Sequence, residues 1–110
     1  MSEQSVASRI LERLREGWRP AARDLAGAPI VSEWRILSVG PGPYLLQGTV
    51  EGRPILNVVI ALDASARWAR TPDRWLILGG RSPELQRVVS ESEIMSRAAD
   101  WMKRYPDAGR

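Results

Sequence analysis

The hydrophobic period of the chain changes twice, and that order restricts the fold more than any single motif does. Val6, Ile10, Leu11 and Leu14 recur at helical spacing with Glu3, Arg9, Glu12, Arg13 and Glu16 in the other positions, so Ser5 to Glu16 reads as an amphipathic helix ended by Gly17. Pro20 stands where a short second helix can start, and Ala22, Leu25 and Gly27 suit a turn or two before Pro29. From Ile30 the pattern becomes β-leaning through Trp34, Ile36 and Leu37, until Gly40-Pro41-Gly42-Pro43 forces a loop. Tyr44 to Glu51 reads as a strand, Gly52-Arg53-Pro54 as a turn, and the β-branched run Ile55 to Leu62 as a central strand, the two strands forming a hairpin. Asp63-Ala64-Ser65 makes the next turn. Arg67 to Arg70 and Arg74 to Leu78 then read as strands about a type I turn at Thr71-Pro72-Asp73, in preference to the helix start that the same three residues also fit. Gly79-Gly80 reads as the strand exit.

Helical spacing then returns. Ser82-Pro83-Glu84-Leu85 reads as a helix start with Leu85, Val88 and Val89 on one apolar face, and Ser90 with Glu93 suits a capping box that restarts or kinks the helix. Ile94, Met95, Ala98, Trp101, Met102 and Tyr105 follow on adjoining faces before Pro106, and Asp107 to Arg110 are expected to fray. The expectation is one α+β domain over residues 1–110: an N-terminal helix, an antiparallel sheet of about four strands, and a C-terminal helix or helices packed on one face.

Composition narrows the chemistry. A chain of 110 residues, 44% hydrophobic and 26% charged, is long enough for one core and too apolar for general disorder. It contains no cysteine and no histidine, which removes disulfides, thiolate nucleophiles, the commonest general base and the commonest metal ligand together. The N-terminal residues lack the pattern of a secretory signal, and the longest apolar run, Val58 to Leu62, is far too short to span a bilayer. A cytoplasmic protein that is not an enzyme, with no cofactor, no metal and no membrane partner, is therefore expected. The net charge is only +3, and fifteen arginines against one lysine reflect composition before they reflect anion binding.

The densest functional signal is Arg67-Trp68-Ala69-Arg70-Thr71-Pro72-Asp73-Arg74-Trp75, with three arginines and two tryptophans in nine residues. In a hairpin about Pro72, Arg70 lies across from Trp75 and Trp68 across from Ile77. One reading is a core of tryptophans with arginines folded over them. The other is a surface in which Trp68, Arg70, Arg74 and Trp75 anchor a partner, since these residue types are enriched at interface hot spots and can also stack bases and clamp phosphates. The expected partner is a protein. Nucleic acid is the alternative, supported by a second arginine series at Arg9, Arg13, Arg15, Arg19 and Arg23, though Glu12, Glu16 and Asp24 interrupt it. The carboxylates form no rigid cluster: Glu91 and Glu93 suit a helix N-terminus, and Gly40-Pro41-Gly42 cannot cradle a phosphate. Met95, Trp101, Met102 and Tyr105 read as sheet-packing residues before they read as a partner-binding face.

The stretch from Leu62-Asp63 through Trp68-Ala69-Arg70-Thr71 to Arg74-Trp75 and Leu78-Gly79 resembles an uncharacterised family of short alphaproteobacterial proteins, a domain of unknown function found in rhizobia and their relatives. Asp24-Leu25-Ala26, Ala28-Pro29 and Trp34-Arg35 are similar too, so the resemblance runs from Leu11 to Gly80. Where that family has a Gly-His-Pro step and a later Thr-Ser pair, this chain has Gly52-Arg53-Pro54 and Leu56-Asn57. The resemblance implies a bacterial, cytosolic, mobile-element-associated protein and carries over no catalytic residue. By analogy it suggests an inhibitor or regulator of a larger bacterial machine, such as the phage-encoded inhibitors of host defence.

Overall fold

The computed structural model describes residues 5–38, 40–81 and 89–105. Helix α1 (Val6–Arg15) begins where the Ser5 side chain accepts the Ser8 N–H at 3.1 Å, and it ends at Glu16, with Gly17 turning the chain at φ +107°. Helix α2 (Ala22–Leu25) is a single turn. Six strands follow: β1 (Ile30–Leu37), β2 (Leu45–Val50), β3 (Arg53–Val58), β4 (Ala61–Leu62), β5 (Trp68–Arg70) and β6 (Trp75–Leu78). The last element is α3 (Glu91–Arg104), capped by Ser90, whose side chain accepts the Glu93 N–H.

The strands form one sheet in the order β3-β2-β1-β6-β5-β4, antiparallel except for the β1–β6 pair. The outermost strands in that order, β3 and β4, are consecutive in the chain with only Val59 and Ile60 between them. In an open sheet with strands about 4.8 Å apart, they would stand roughly 24 Å from one another. Three peptide units reach at most about 11 Å, so the sheet has to curl until its ends meet. The hydrogen bonds at the join agree: the Val59 N–H donates to Tyr44 O at 3.0 Å on the β2 side, and the Ile60 N–H to Arg70 O at 2.8 Å on the β5 side. β1 turns the opposite corner through a bulge at Glu33 (φ 51°): Ile30 and Val31 pair with β6, while Ser32 and Arg35 to Leu37 pair with β2. Gly48 of β2 lies against β1, where an added Cβ would collide with the Val31 side chain.

Two apolar clusters result. Inside the curled sheet lie Val31, Trp34, Leu46, Val59, Ala69, Leu76 and Leu78, with Ile94 of α3. Outside it, α1 and α3 lay Ala7, Leu11, Leu14, Met95, Ala98 and Met102 over Ile60, Ala61 and Trp68. This places Met95 and Met102 in the packing role expected of them, whereas Tyr105 is exposed. Among the described residues no helix is long and apolar enough to cross a membrane.

The α+β class, the N-terminal helix, the C-terminal helix and the register of the β5–β6 hairpin match the sequence reading. Three points differ. The sheet has six strands and not about four. The run Ile55 to Leu62 is not one central strand, because at Val59–Ile60 it leaves β2 to join β5. The turn before it sits at Glu51-Gly52, both with positive φ (50° and 77°), and this two-residue connection leaves Arg53 and Pro54 inside β3, paired with Val50 and Thr49. The expected helix start at 82–85, Leu85 and Val88 on its apolar face, the closing Pro106 and the fraying of 107–110 lie outside the described residues.

Candidate functional site: an arginine–tryptophan cleft

Strand alternation sends Ala69 and Leu76 into the curled sheet and puts Trp68, Arg70, Trp75 and Ile77 on its outer side, with Trp68 facing Ile77 and Arg70 facing Trp75. The turn between the strands is held by its own side chains. The Thr71 N–H donates to Arg74 O at 2.9 Å, and the Thr71 hydroxyl donates to Asp73 Oδ1 at 2.7 Å while accepting the Arg74 N–H at 3.2 Å. Thr71 is fully buried, so the turn is rigidly seated.

The tryptophans form a ladder. Trp68 meets Trp75 edge to face, with ring centroids 5.4 Å apart, and Trp75 meets Trp18 at 6.1 Å with the rings tilted by 49°. Trp18 reaches this place because the chain turns back at Gly17, with the Trp18 N–H bonded to Arg13 O at 2.9 Å. Arg13 stacks over Trp18 at 4.6 Å and Arg70 over Trp75 at 5.1 Å. Exposure grades along the ladder: Trp68 is buried beneath the helices, while Trp75 and Trp18 are half-buried. Arg19 then leaves toward α3, where it pairs with Glu91 at 2.5 Å.

Beside Trp75 opens a cleft of about 290 Å³, with the α2–β1 connection (26–29) on one side and Arg70 with 73–75 on the other, and Asp24 at its rim. The Ile77 N–H donates to Pro29 O at 2.9 Å and fixes the first wall to β6. Arg70 is 6% exposed, and its Nε is the one sealed side-chain nitrogen or oxygen without a hydrogen-bond partner among the described residues. Burial pushes the guanidinium below its ordinary pKa, with Asp73 acting partly against that shift. Neither rim carboxylate pairs with Arg70: Asp73 takes the Thr71 hydroxyl, and Asp24 accepts the Ala21 N–H at 2.7 Å.

Of the four residues expected to anchor a partner, Arg70, Arg74 and Trp75 line this cleft, whereas Trp68 belongs to the core and presents no surface of its own. Arg74 is half-buried. Sequence reasoning did not foresee Trp18, Arg13 as its stacking partner, or the 26–29 wall. The only available signal was the helix stop at Gly17, which returns the chain toward its own helix. Among the described residues no three Asp, Glu, His or Cys side chains gather where they could hold a metal ion. Of the two acidic residues at the start of α3, Glu91 takes Arg19 from the N-terminal segment and Glu93 faces Arg97 at 3.6 Å.

No curated protein and no solved structure matches the chain. A family model matches residues 9–101, a span that takes in the whole ladder, the cleft, the curled sheet and most of α3. The chain belongs to that family, a family of unknown function, DUF6634.

Proposed function

We propose that this chain is a non-catalytic protein-binding module that docks its partner on the Trp18–Trp75 ladder and the cleft beside it. The observation that carries the reading is the half-buried Trp75, held between Trp18 and Trp68 with Arg70 stacked on its ring. Tryptophan and arginine dominate binding energy where they are already positioned, since little rotamer freedom is then lost on association. Arg74 at the cleft and Arg13 stacked over Trp18 widen the contact. The family resemblance adds a class of partner, a larger bacterial machine that such a module would inhibit or regulate.

The test is capture from a bacterial lysate by the tagged full chain, with half of each eluate treated with nuclease, using the wild type and Trp75→Ala. The expected result is a stoichiometric protein that survives nuclease and is lost with Trp75→Ala, while circular dichroism shows that variant folded. Loss of every enriched species on nuclease treatment would assign the surface to nucleic acid instead, through stacking on tryptophan and phosphate contacts by the arginines.

A further inference from the structure

We infer that the cleft beside Arg70 is a carboxylate site, which takes an aspartate or glutamate side chain of the protein partner. The inference rests on the protein-binding reading and names the chemistry that the partner must supply. A guanidinium carries five N–H donors and is costly to bury without acceptors. Arg70 is 94% buried by its 6% exposure, yet none of its side-chain nitrogens has a hydrogen-bond partner among the described residues. Nε is sealed; the two terminal nitrogens are not, and the side chain lines the cleft. Stacking on Trp75 at 5.1 Å positions the group, leaving its terminal edge for the two oxygens of a carboxylate.

The choice of a carboxylate over a phosphate follows from the other charges. Arg70, Arg74, Asp24 and Asp73 all line the cleft, so its charged lining sums to zero. One added negative charge can be met at Arg70. A phosphate dianion or a run of phosphodiesters would bring further charge against the two rim carboxylates, which already serve the Ala21 N–H and the Thr71 hydroxyl. The opposite wall, Ala26, Gly27, Ala28 and Pro29, bears no charged side chain and suits the methylene groups of an acidic residue.

The test is a titration of the ¹⁵N-labelled full chain with sodium acetate, with chloride adjusted to hold ionic strength constant, following the Arg70 Nε–H and the Trp75 indole N–H. The expected result is a saturating shift of both signals, a weaker response to inorganic phosphate, and loss of saturation in Arg70→Gln and Arg70→Lys, each shown folded by circular dichroism. Shifts no different from those in chloride alone, or tighter binding of phosphate than of acetate, would overturn the assignment. Lysate capture by Arg70→Gln separates the two proposals. A partner lost with Trp75→Ala but kept in full by Arg70→Gln leaves the docking surface standing and removes the carboxylate site. Saturable acetate binding with no protein captured removes the docking reading, and with it a protein side chain as the source of the carboxylate, and leaves the carboxylate site itself standing.

Discussion

The two faces of the β5–β6 hairpin are built from adjacent residues and treated in opposite ways. Toward the inside of the curled sheet, Ala69 and Leu76 are fully buried among aliphatic and aromatic neighbours. Toward the outside, Arg70, one position from Ala69, is almost as deeply buried with its guanidinium unpaired. The inner face is what stability alone selects. The outer face keeps a charge that packing would be better without, and a buried unpaired cation is the kind of local conflict that binding sites retain.

If the inner face is the stabilising one, the largest loss should come from Leu76→Ala, which removes a fully buried side chain from a closed sheet: about 3 kcal/mol, read as a fall in melting temperature of roughly 10–20 °C. A melting point unchanged within a few degrees would break the distinction between the faces. Gly48→Ala should cost about 1–3 kcal/mol in urea unfolding, because its methyl group meets Val31 on the crowded side of β1. On the outer face, Arg13→Ala should cost only about 0.5–1 kcal/mol, the worth of a solvent-side cation–π contact, and should weaken partner capture more than it lowers the unfolding midpoint.

The smallest effect concerns pH. The native guanidinium of Arg70 lies below its unfolded pKa, so the folded state holds that proton less tightly. Its cost to stability is therefore present throughout the neutral range and is relieved only as pH rises, far into the alkaline range, through the depressed native value toward the unfolded one. With no histidine in the chain, acetate binding at the cleft should be flat from pH 6 to 9. A midpoint inside that window would point to a group other than Arg70.

The hairpin itself was readable because its determinants are local. Pro72 and Gly79-Gly80 punctuate two short apolar runs, and period-2 alternation then dictates which side chains face one another. The break at Val59–Ile60 was not readable, since nothing in Val58 to Leu62 marks it. The chain departs from β2 there only because the sheet has closed, and closure depends on the bulge at Glu33 and the β1–β6 pairing far away in sequence. The same holds for the site. Trp68 and Trp75 look equivalent in the sequence and share a face of the hairpin, yet α1 and α3 cover the first and leave the second at the rim. Trp18 and the 26–29 wall reach the hairpin only through the turn at Gly17 and the Pro29–Ile77 hydrogen bond.

The most direct measurement is the urea midpoint of Arg70→Met beside that of the wild type. Methionine keeps length and contact with Trp75 while removing the unpaired charge. If Arg70 is held for a ligand, the variant should be more stable by about 1 kcal/mol and should no longer respond to acetate. A variant less stable by about 1 kcal/mol or more would mean that the guanidinium serves the fold, and it would contradict the account of the cleft as a binding site.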